Sequence, residues 1–276
     1  MAVYRGFDQA TLDREYSPSS RVADMGVYLR EYASASLAAR RALAFREYRY
    51  GPLDCERLDF FPAGRARAPL VVFVHGGYWQ ELDKSDSSFP ATGFLSAGAA
   101  FAAIGYGLAP AFSLPEIVDQ VRRALRWLLA HAGELGVDRI HLVGHCAGAQ
   151  LVLAALLADE ALAAVSGVTA LSGVYDLEPV RLSYVNGPLG LDRRTAAELS
   201  PIRQLCRPLP PLLVAVGGIE TAEFARQHEE FVLAARRWAP VRDLVLPARN
   251  HFDIPFDLAD PASPLGAAQS RALGLQ

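Results

Sequence analysis

The sequence predicts an α/β fold with a mostly parallel central sheet flanked by helices, and three observations support this prediction. Short, continuous apolar runs recur along the chain, as expected of strands that are buried on both faces. Longer segments with a helical apolar period lie between these runs. The 276 residues, of which 51% are hydrophobic, suffice for one large domain with a substantial core. Strands that alternate with helices in this way form a parallel sheet covered on both sides.

The chain is expected to begin with a peripheral segment. Residues 1–45 consist of a polar lead-in and a stretch rich in Ala, Leu and Arg, which predicts a helix over residues 24–45. Residues 46–50 and 57–61 are then expected to pair as antiparallel strands, because a Gly-Pro turn signal lies between them.

The rest of the chain alternates between apolar runs and helical segments. The runs predict six strands, over residues 69–74, 99–104, 140–143, 168–171, 212–216 and 243–247. The helical segments cover residues 114–135, 147–157 and 223–238. The first of these helices is the clearest, because Ile117, Val121 and Leu125 recur on one face. Function concentrates at the C-terminal ends of parallel strands, so the residues that follow the strands are the candidates.

Residues 175–207 interrupt the alternation of strands and helices. This segment contains several prolines, an Asn-Gly pair and few long apolar runs. Loops of this length are uncommon unless they are functional, so we expect a small cap or lid over the C-terminal edge of the sheet. An ordinary long surface loop is the alternative. With this insertion, residues 1–276 are expected to form a single domain.

Composition and charge exclude several function classes. A net charge of −3 and a sequence pI near 6.1 offer no basic field to nucleic acid or to an anionic membrane surface. The sequence has neither a signal-peptide pattern nor an apolar stretch of membrane-spanning length, so we expect a cytoplasmic protein without a membrane partner. The three cysteines show neither metal-ligand nor disulfide spacing. We expect a small-molecule substrate and no metal; a homodimer is compatible with the sequence, although no residue indicates one.

The strongest motif is Gly-His-Cys-Ala-Gly at residues 144–148. It directly follows a predicted strand and precedes a predicted helix, which is the context of a nucleophile elbow with cysteine in the place of serine. Flanking glycines leave room for the strained turn. The N-terminal end of the following helix favours a thiolate or an oxyanion. Cys146 is therefore the predicted nucleophile; a small buried residue in a tight turn is the alternative.

A second motif, His-Gly-Gly-Tyr-Trp at residues 75–79, follows the predicted strand over residues 69–74. Glycines at such a strand end allow backbone N–H groups to converge on one point, as in an oxyanion hole. We expect the donors to be the N–H groups of Gly77, Tyr78 and Ala147. An ordinary Gly-Gly turn is the alternative.

A cysteine nucleophile needs a base, and the base needs an acid that orients it. In the chain order nucleophile, acid, histidine, only His228 and His251 are placed late enough to be the base. His228 falls inside a predicted helix, where we expect a surface residue. His251 lies in a loop after the last predicted strand and is therefore the predicted base.

The predicted acid is Glu220, which lies in the turn beyond the strand over residues 212–216. Three other carboxylates are rivals. Glu223 falls where a helix begins and can serve as a capping-box partner. Asp253 is too near the base in sequence to face it, and Asp176 is more distant.

Four side chains are predicted to line a pocket for a flat or aromatic group of the substrate. They are Tyr78 and Trp79 from the second motif, and Tyr184 and Asn186 from the cap. Ordinary packing is the alternative for all four.

Taken together, these motifs resemble the arylformamidase (kynurenine formamidase) branch of the α/β hydrolases. The similar stretches cover residues 12–16, 75–79, 144–149, 172–177, 220–224 and 251–254, and so span nearly the whole chain. The resemblance implies the α/β-hydrolase fold. It also implies hydrolysis of N-formylkynurenine to kynurenine and formate, or of small aryl esters, without a cofactor.

The chain departs from this branch at its nucleophile, because Cys146 stands where the family has serine. Three explanations compete: a natural thiol hydrolase of the dienelactone-hydrolase kind, a serine hydrolase whose nucleophile has been substituted, or a catalytically poor member. For the reaction, we expect an acyl-enzyme on Cys146 during formamide or ester hydrolysis. A general carboxylesterase or thioesterase and a non-catalytic ligand-binding protein are the alternatives.

Overall fold

The computed structural model describes residues 2–275, and it is built around one eight-stranded sheet. The strands follow the spatial order β1-β2-β4-β3-β5-β6-β7-β8. Their bounds are β1 Arg46–Arg49, β2 Arg57–Phe61, β3 Ala68–Val74, β4 Ala100–Ile104, β5 Val137–His145, β6 Gly167–Leu171, β7 Leu212–Ile219 and β8 Val241–Asn250. Strands β3 to β8 are mutually parallel, whereas β1 and β2 run antiparallel at one edge. The predicted mostly parallel sheet and its antiparallel opening pair are thus confirmed.

Helices cover both faces of this sheet. Their bounds are α1 Gln9–Glu15, α2 Met25–Ala42, α3 Ala91–Ser96, α4 Leu114–His131, α5 Ala147–Ala158, α6 Glu178–Leu182, α7 Asn186–Leu189, α8 Arg193–Glu198, α9 Pro201–Gln204, α10 Ala222–Ala235 and α11 Pro264–Leu273. Apolar side chains of α4, α5 and α10 form one buried cluster with the sheet, and those of α3 and α11 form a second cluster.

The central strands separate the two clusters because their side chains alternate between the faces of the sheet. In β3, Leu70, Val72 and Val74 belong to the first cluster, while Val71 and Phe73 belong to the second. This strand is buried along its whole length. A continuous apolar sequence is therefore required there rather than an alternating one.

The main differences from the predicted elements lie at their ends. Helix α2 ends at Ala42, three residues before the predicted end, and the chain then extends into β1. Helix α4 ends at His131, because the chain turns through Gly136 with φ +70° before β5 begins. Helices α1, α3 and α11 were not predicted; each is short, so its helical period is weak.

Residues 175–207 contain four short helices, α6 to α9, separated by tight turns. Polar side chains hold them together: Ser200 Oγ accepts the Leu177 N–H, and Asp192 caps α8 by accepting the Thr195 N–H. Among residues 2–275, the structure contains no helix with the length and apolarity needed to cross a membrane.

Candidate active site

The nucleophile elbow connects β5 to α5, with Cys146 at the turn. Its backbone has φ 55° and ψ −119°, a combination that non-glycine residues rarely adopt. A Cβ on Gly148 would collide with the Val74 carbonyl, and a Cβ on Gly144 would collide with the backbone of Gly148. The flanking glycines are therefore required by close backbone packing, as the motif indicates.

Two loops bring His251 and Glu220 next to this elbow. His251 follows β8, and its Nδ1 lies 2.8 Å from Glu220 Oε2 in the loop after β7. The Gly217 N–H donates to the other carboxylate oxygen, Oε1, at 2.9 Å. Both side chains are buried. Since Nδ1 faces the carboxylate, Nε2 is the ring nitrogen left to act on the nucleophile.

The neighbouring Cys146 and Glu220 side chains strongly affect the pKa of His251. Burial alone would lower the pKa of the imidazole, but the Cys146 thiolate and the Glu220 carboxylate outweigh it and raise that pKa from 6.5 to about 10. The adjacent His145 behaves in the opposite way, because burial and the nearby His251 lower its pKa to about 3. His145 is therefore neutral, and its Nε2 lies 2.9 Å from the backbone oxygen of His251.

The loop after β3 carries Gly77 and Tyr78, two of the predicted oxyanion donors, in an unusual backbone conformation. Gly77, Tyr78 and Trp79 have φ values of 90°, 49° and 61°, so three successive residues lie in the left-handed region. A Cβ on Gly77 would collide with the Glu81 carbonyl, and a Cβ on Gly76 would lie 2.8 Å from Cys146 Cβ. The loop thus packs directly against Cys146. Successive N–H groups in such a conformation form an anion-binding concavity.

A cavity of about 180 Å³ opens above Cys146 and His251. Its walls come from four parts of the chain: the N-terminal segment, the loop after β3, the region of α6 and α7, and the loop after β8. The lining residues include Ser19, Met25, Leu29, Tyr32, Tyr78, Glu81, Tyr184, Val185 and Phe252. Tyr78 and Tyr184 are the two predicted pocket residues that the structure places there.

Trp79 and Asn186 do not line this cavity, so their prediction as pocket residues is wrong. Trp79 is fully buried and donates its indole N–H to Gln150 Oε1 at 3.0 Å. Asn186 holds its own turn together, since its side chain bonds the Arg181 carbonyl and both backbone groups of Leu191. Both side chains are used for internal packing.

The N-terminal segment forms much of the cavity wall, which the sequence did not indicate. Met25, Leu29 and Tyr32 lie at successive turns of α2 and face the cavity. The Tyr32 hydroxyl also donates to the backbone oxygen of Phe252, beside the predicted base. Their spacing of four and three residues is the only sequence signal that they share a face.

The rival acids and the rival base have other partners. Glu223 accepts from the Tyr16 hydroxyl and pairs with Arg226; the α10 cap is Thr221, so Glu223 is not a capping-box partner. Asp253 accepts from Asn250, and Asp176 pairs with Arg203. The prediction that His228 lies at the surface is wrong. Helix α10 turns it towards β8, where it is buried and lies 2.7 Å from Asp243.

The chain is similar in sequence to known hydrolases. The BD-FAE family matches residues 58–170. The kynurenine formamidase of Salmo salar is 31% identical over 224 residues, which cover 76% of this chain and 76% of that protein. The kynurenine formamidase of Danio rerio is 34% identical over 196 residues, which cover 67% of this chain and 66% of that protein.

Solved structures support the same placement. A candidate thioesterase from Silicibacter sp. TM1040 superposes with a TM-score of 0.82 at 32% identity, over 93% of this chain and 97% of that one. Esterase LipW from Mycobacterium marinum gives a TM-score of 0.72 at 21% identity, over 97% of this chain and 90% of that one, and so supports the fold alone. The chain therefore belongs to the arylformamidase-like branch of the α/β hydrolases, a family of enzymes that hydrolyse amide or ester bonds.

Proposed function

We propose that this protein hydrolyses the formamide bond of a small aromatic substrate through a thioester on Cys146. The observation that carries the proposal is the connected series from Cys146 through His251 to Glu220, beside the N–H groups of the loop after β3. This arrangement combines a nucleophile, a base, an orienting acid and donors for an oxyanion.

In the first half of the reaction, Sγ of Cys146 attacks the carbonyl carbon and forms a C–S bond. The carbonyl electron pair moves onto oxygen, where the N–H groups of Gly77, Tyr78 and Ala147 stabilise the negative charge. His251 then donates its Nε2 proton to the leaving nitrogen. The C–N bond breaks and an amine is released, leaving a thioester.

In the second half, His251 takes a proton from water while the water oxygen bonds to the thioester carbon. The C–S bond breaks, formate is released, and the Cys146 thiolate beside protonated His251 is restored. Glu220 keeps Nδ1 protonated throughout, which holds Nε2 in position for both proton transfers. The net reaction consumes one water and yields one amine, one formate and one proton.

The cavity supports an aromatic substrate of modest size. Leu29, Val185 and Phe252 give it an apolar wall, and the Tyr78 and Tyr184 rings add flat surfaces. Apart from the catalytic groups, Glu81 is the one lining residue with a formal charge among those that the structure describes. The names of the relatives from Salmo salar and Danio rerio favour N-formylkynurenine among such substrates.

A general esterase or thioesterase is the second candidate function. It is favoured by the similarity to the Silicibacter protein, which covers nearly the whole of both chains. A cysteine nucleophile forms thioesters in either case. The two candidates differ in whether a formanilide or an activated ester is the better substrate.

The deciding experiment measures hydrolysis of N-formylkynurenine and p-nitrophenyl acetate by the protein and its Cys146→Ser variant. Cys206→Ala is the matched control, because Cys206 is exposed and does not line the cavity. The proposal expects the parent protein to release formate from N-formylkynurenine at a rate that changes in Cys146→Ser and is unchanged in the control. Hydrolysis of the ester alone would support the second candidate.

The serine variant also distinguishes the origins of the cysteine. Sulfur is larger than oxygen, and a site shaped for one atom positions the acyl carbon poorly for the other, which can cost about 100-fold in rate. A large gain in the Cys146→Ser variant would indicate a site built for serine. A large loss would indicate a thiol hydrolase, and inactivity of both forms on both substrates would leave ligand binding as the function.

A further inference from the structure

Ser172 is a strained, buried residue to which the reaction above assigns no role. It directly follows β6 and has φ 46°, although it is not a glycine. Its N–H donates to the Ala215 oxygen on β7 at 2.8 Å, and its side chain is enclosed. Strained backbone of this kind persists where the surrounding structure imposes it, and it clusters at functional sites.

The Ser172 hydroxyl contacts the predicted acid directly. Its Oγ donates to Glu220 Oε1 at 2.5 Å, the same oxygen that accepts the Gly217 N–H at 2.9 Å. The other oxygen, Oε2, faces His251 Nδ1 at 2.8 Å. One carboxylate oxygen is thus held by two donors, and the other is left for the base.

From this geometry we propose that Ser172 is a positioning residue that fixes the Glu220 carboxylate as the acceptor for His251. The proposal rests on the proposed function, because it assigns the Ser172 contact to the same catalytic series. Glutamate has one more rotatable bond than aspartate, so its carboxylate needs an anchor to present one oxygen to the imidazole. A hydrogen bond from a hydroxyl to a carboxylate is short and strong, so it restricts the rotation of the Glu220 side chain.

Several other titratable groups lie near Glu220 and bear on the pH-dependent test of this proposal. His251 contacts it from the loop after β8, and Cys146 interacts with it through His251. Tyr78 and Tyr175 approach from the loops after β3 and β6, and burial raises the pKa of both hydroxyls. These tyrosines stay neutral at the pH values of the test below, so changes there report on the series from Ser172 to Cys146.

The test compares Ser172→Ala, Ser172→Gly and a control, Ser88→Ala. Ser88 is fully buried, and its hydroxyl has no partner among the residues that the structure describes. The glycine variant removes the hydroxyl and also relieves the strain at φ 46°, whereas the alanine variant removes the hydroxyl alone. A role of the hydroxyl therefore predicts equal functional loss in both, and a role of the strain predicts different losses.

The first readout is the pH dependence of Cys146 alkylation by iodoacetamide, followed by peptide mass spectrometry. We expect the rate at pH 6 to fall about tenfold in both Ser172 variants, which corresponds to a shift of the profile by about one pH unit. Ser88→Ala is expected to keep the parent profile. An unchanged profile in Ser172→Ala or full retention in Ser172→Gly would overturn the proposal.

A second readout keeps this test separate from the proposed function. The Nδ1 proton of His251, held against Glu220, is expected to give a downfield proton NMR signal that weakens or moves upfield in both Ser172 variants. If Cys146 of the parent protein is alkylated at the rate of an ordinary thiol, the activated cysteine of the proposed function is wrong. The NMR signal then tests the role of Ser172 independently of that function. A signal that is the same in all variants would refute that role.

Discussion

The side chains around the His251 imidazole offset the effect of burial on its pKa. A buried histidine is normally neutral, yet two negative neighbours, Cys146 and Glu220, raise its pKa to about 10. His141 shows the contrasting case, because burial without such neighbours lowers its pKa to about 4. The charge on His251 is therefore a property of this site and is coupled to the Cys146 side chain.

This coupling predicts a pH-dependent contribution to stability. Because folding raises the pKa of His251 above its ordinary value of 6.5, the stabilisation is complete below pH 6.5 and is lost as the pH rises through about 10. We expect the Tm of the parent protein, relative to that of Cys146→Ala, to decrease between pH 7 and pH 10.5. Differential scanning fluorimetry of both proteins measures this difference, and a constant difference over that range would contradict the charge pair.

Gly77 is a residue at which a single added methyl group should have a large effect on rate. Its φ of 90° and the nearby Glu81 carbonyl leave no room for a Cβ. We expect Gly77→Ala to displace the oxyanion donors and to lower kcat by about 100- to 1000-fold. Gly64→Ala is the control, because a Cβ there meets nothing within 4 Å. Steady-state kinetics on p-nitrophenyl acetate would show equal rates for the two variants if the loop had no such role.

At the scale of elements, helix α2 holds the loop that carries the base. Tyr28 stacks on Phe252 with ring centroids 5.8 Å apart, and its hydroxyl accepts from Asn250. Tyr32 donates to the Phe252 backbone oxygen and stacks on Phe89 at 5.0 Å. The helix thus supports the base loop on one side while it forms the cavity wall on the other.

Removal of one of these contacts should loosen the base without changing the cavity shape. Tyr32→Phe keeps the stacked ring and removes the hydrogen bond to Phe252. Since one such bond is worth about 1 kcal/mol, we expect kcat to fall about fivefold, with little change in KM. The matched control is Tyr48→Phe on β1, which packs on Trp127 away from the cavity. A fall in activity of similar size in Tyr48→Phe would argue against a specific role for α2.

The elements of the sheet were predictable because each strand has its own local signal. The elbow and the loop after β3 were equally local, so Cys146 and Gly77 could be named from short motifs. The wall formed by α2 was not predictable, since it depends on how that helix packs against distant loops. The position of Trp79 was not predictable for the same reason. A tryptophan in such a loop can face either the cavity or the core, and here its hydrogen bond to the buried Gln150 holds it in the core.

At the scale of the whole molecule, a buried charge network ties α2 to the antiparallel edge of the sheet. Asp59 on β2 is fully buried and pairs with Lys84 Nζ at 2.9 Å and with Arg40 of α2. Lys84 also reaches Glu47 on β1 at 3.0 Å. The network joins four separate parts of the chain, three of which meet at the Asp59 carboxylate.

Loss of that carboxylate should destabilise the whole domain. Asp59→Ala leaves the buried Lys84 without its main partner, and removing one member of a buried pair costs about 3–5 kcal/mol. Urea unfolding is expected to show this loss in the free energy of unfolding. Asp54→Ala is the control, because its side chain is 93% exposed and its pair with Arg49 should contribute at most about 1 kcal/mol. Equal unfolding midpoints for the two variants would refute the role of the network.

The order of the catalytic residues along the chain has a consequence for biosynthesis. Cys146 lies near the middle of the sequence, whereas His251 follows the last strand of the sheet. A ribosome makes the chain from its N-terminus, so the thiol is synthesised well before the imidazole that activates it. Under the proposed function, we expect Cys146 to keep the low reactivity of an ordinary thiol during translation, until β8 and the loop after it are complete. We therefore expect the late position of the proposed base to limit oxidation and alkylation of Cys146 in the nascent chain.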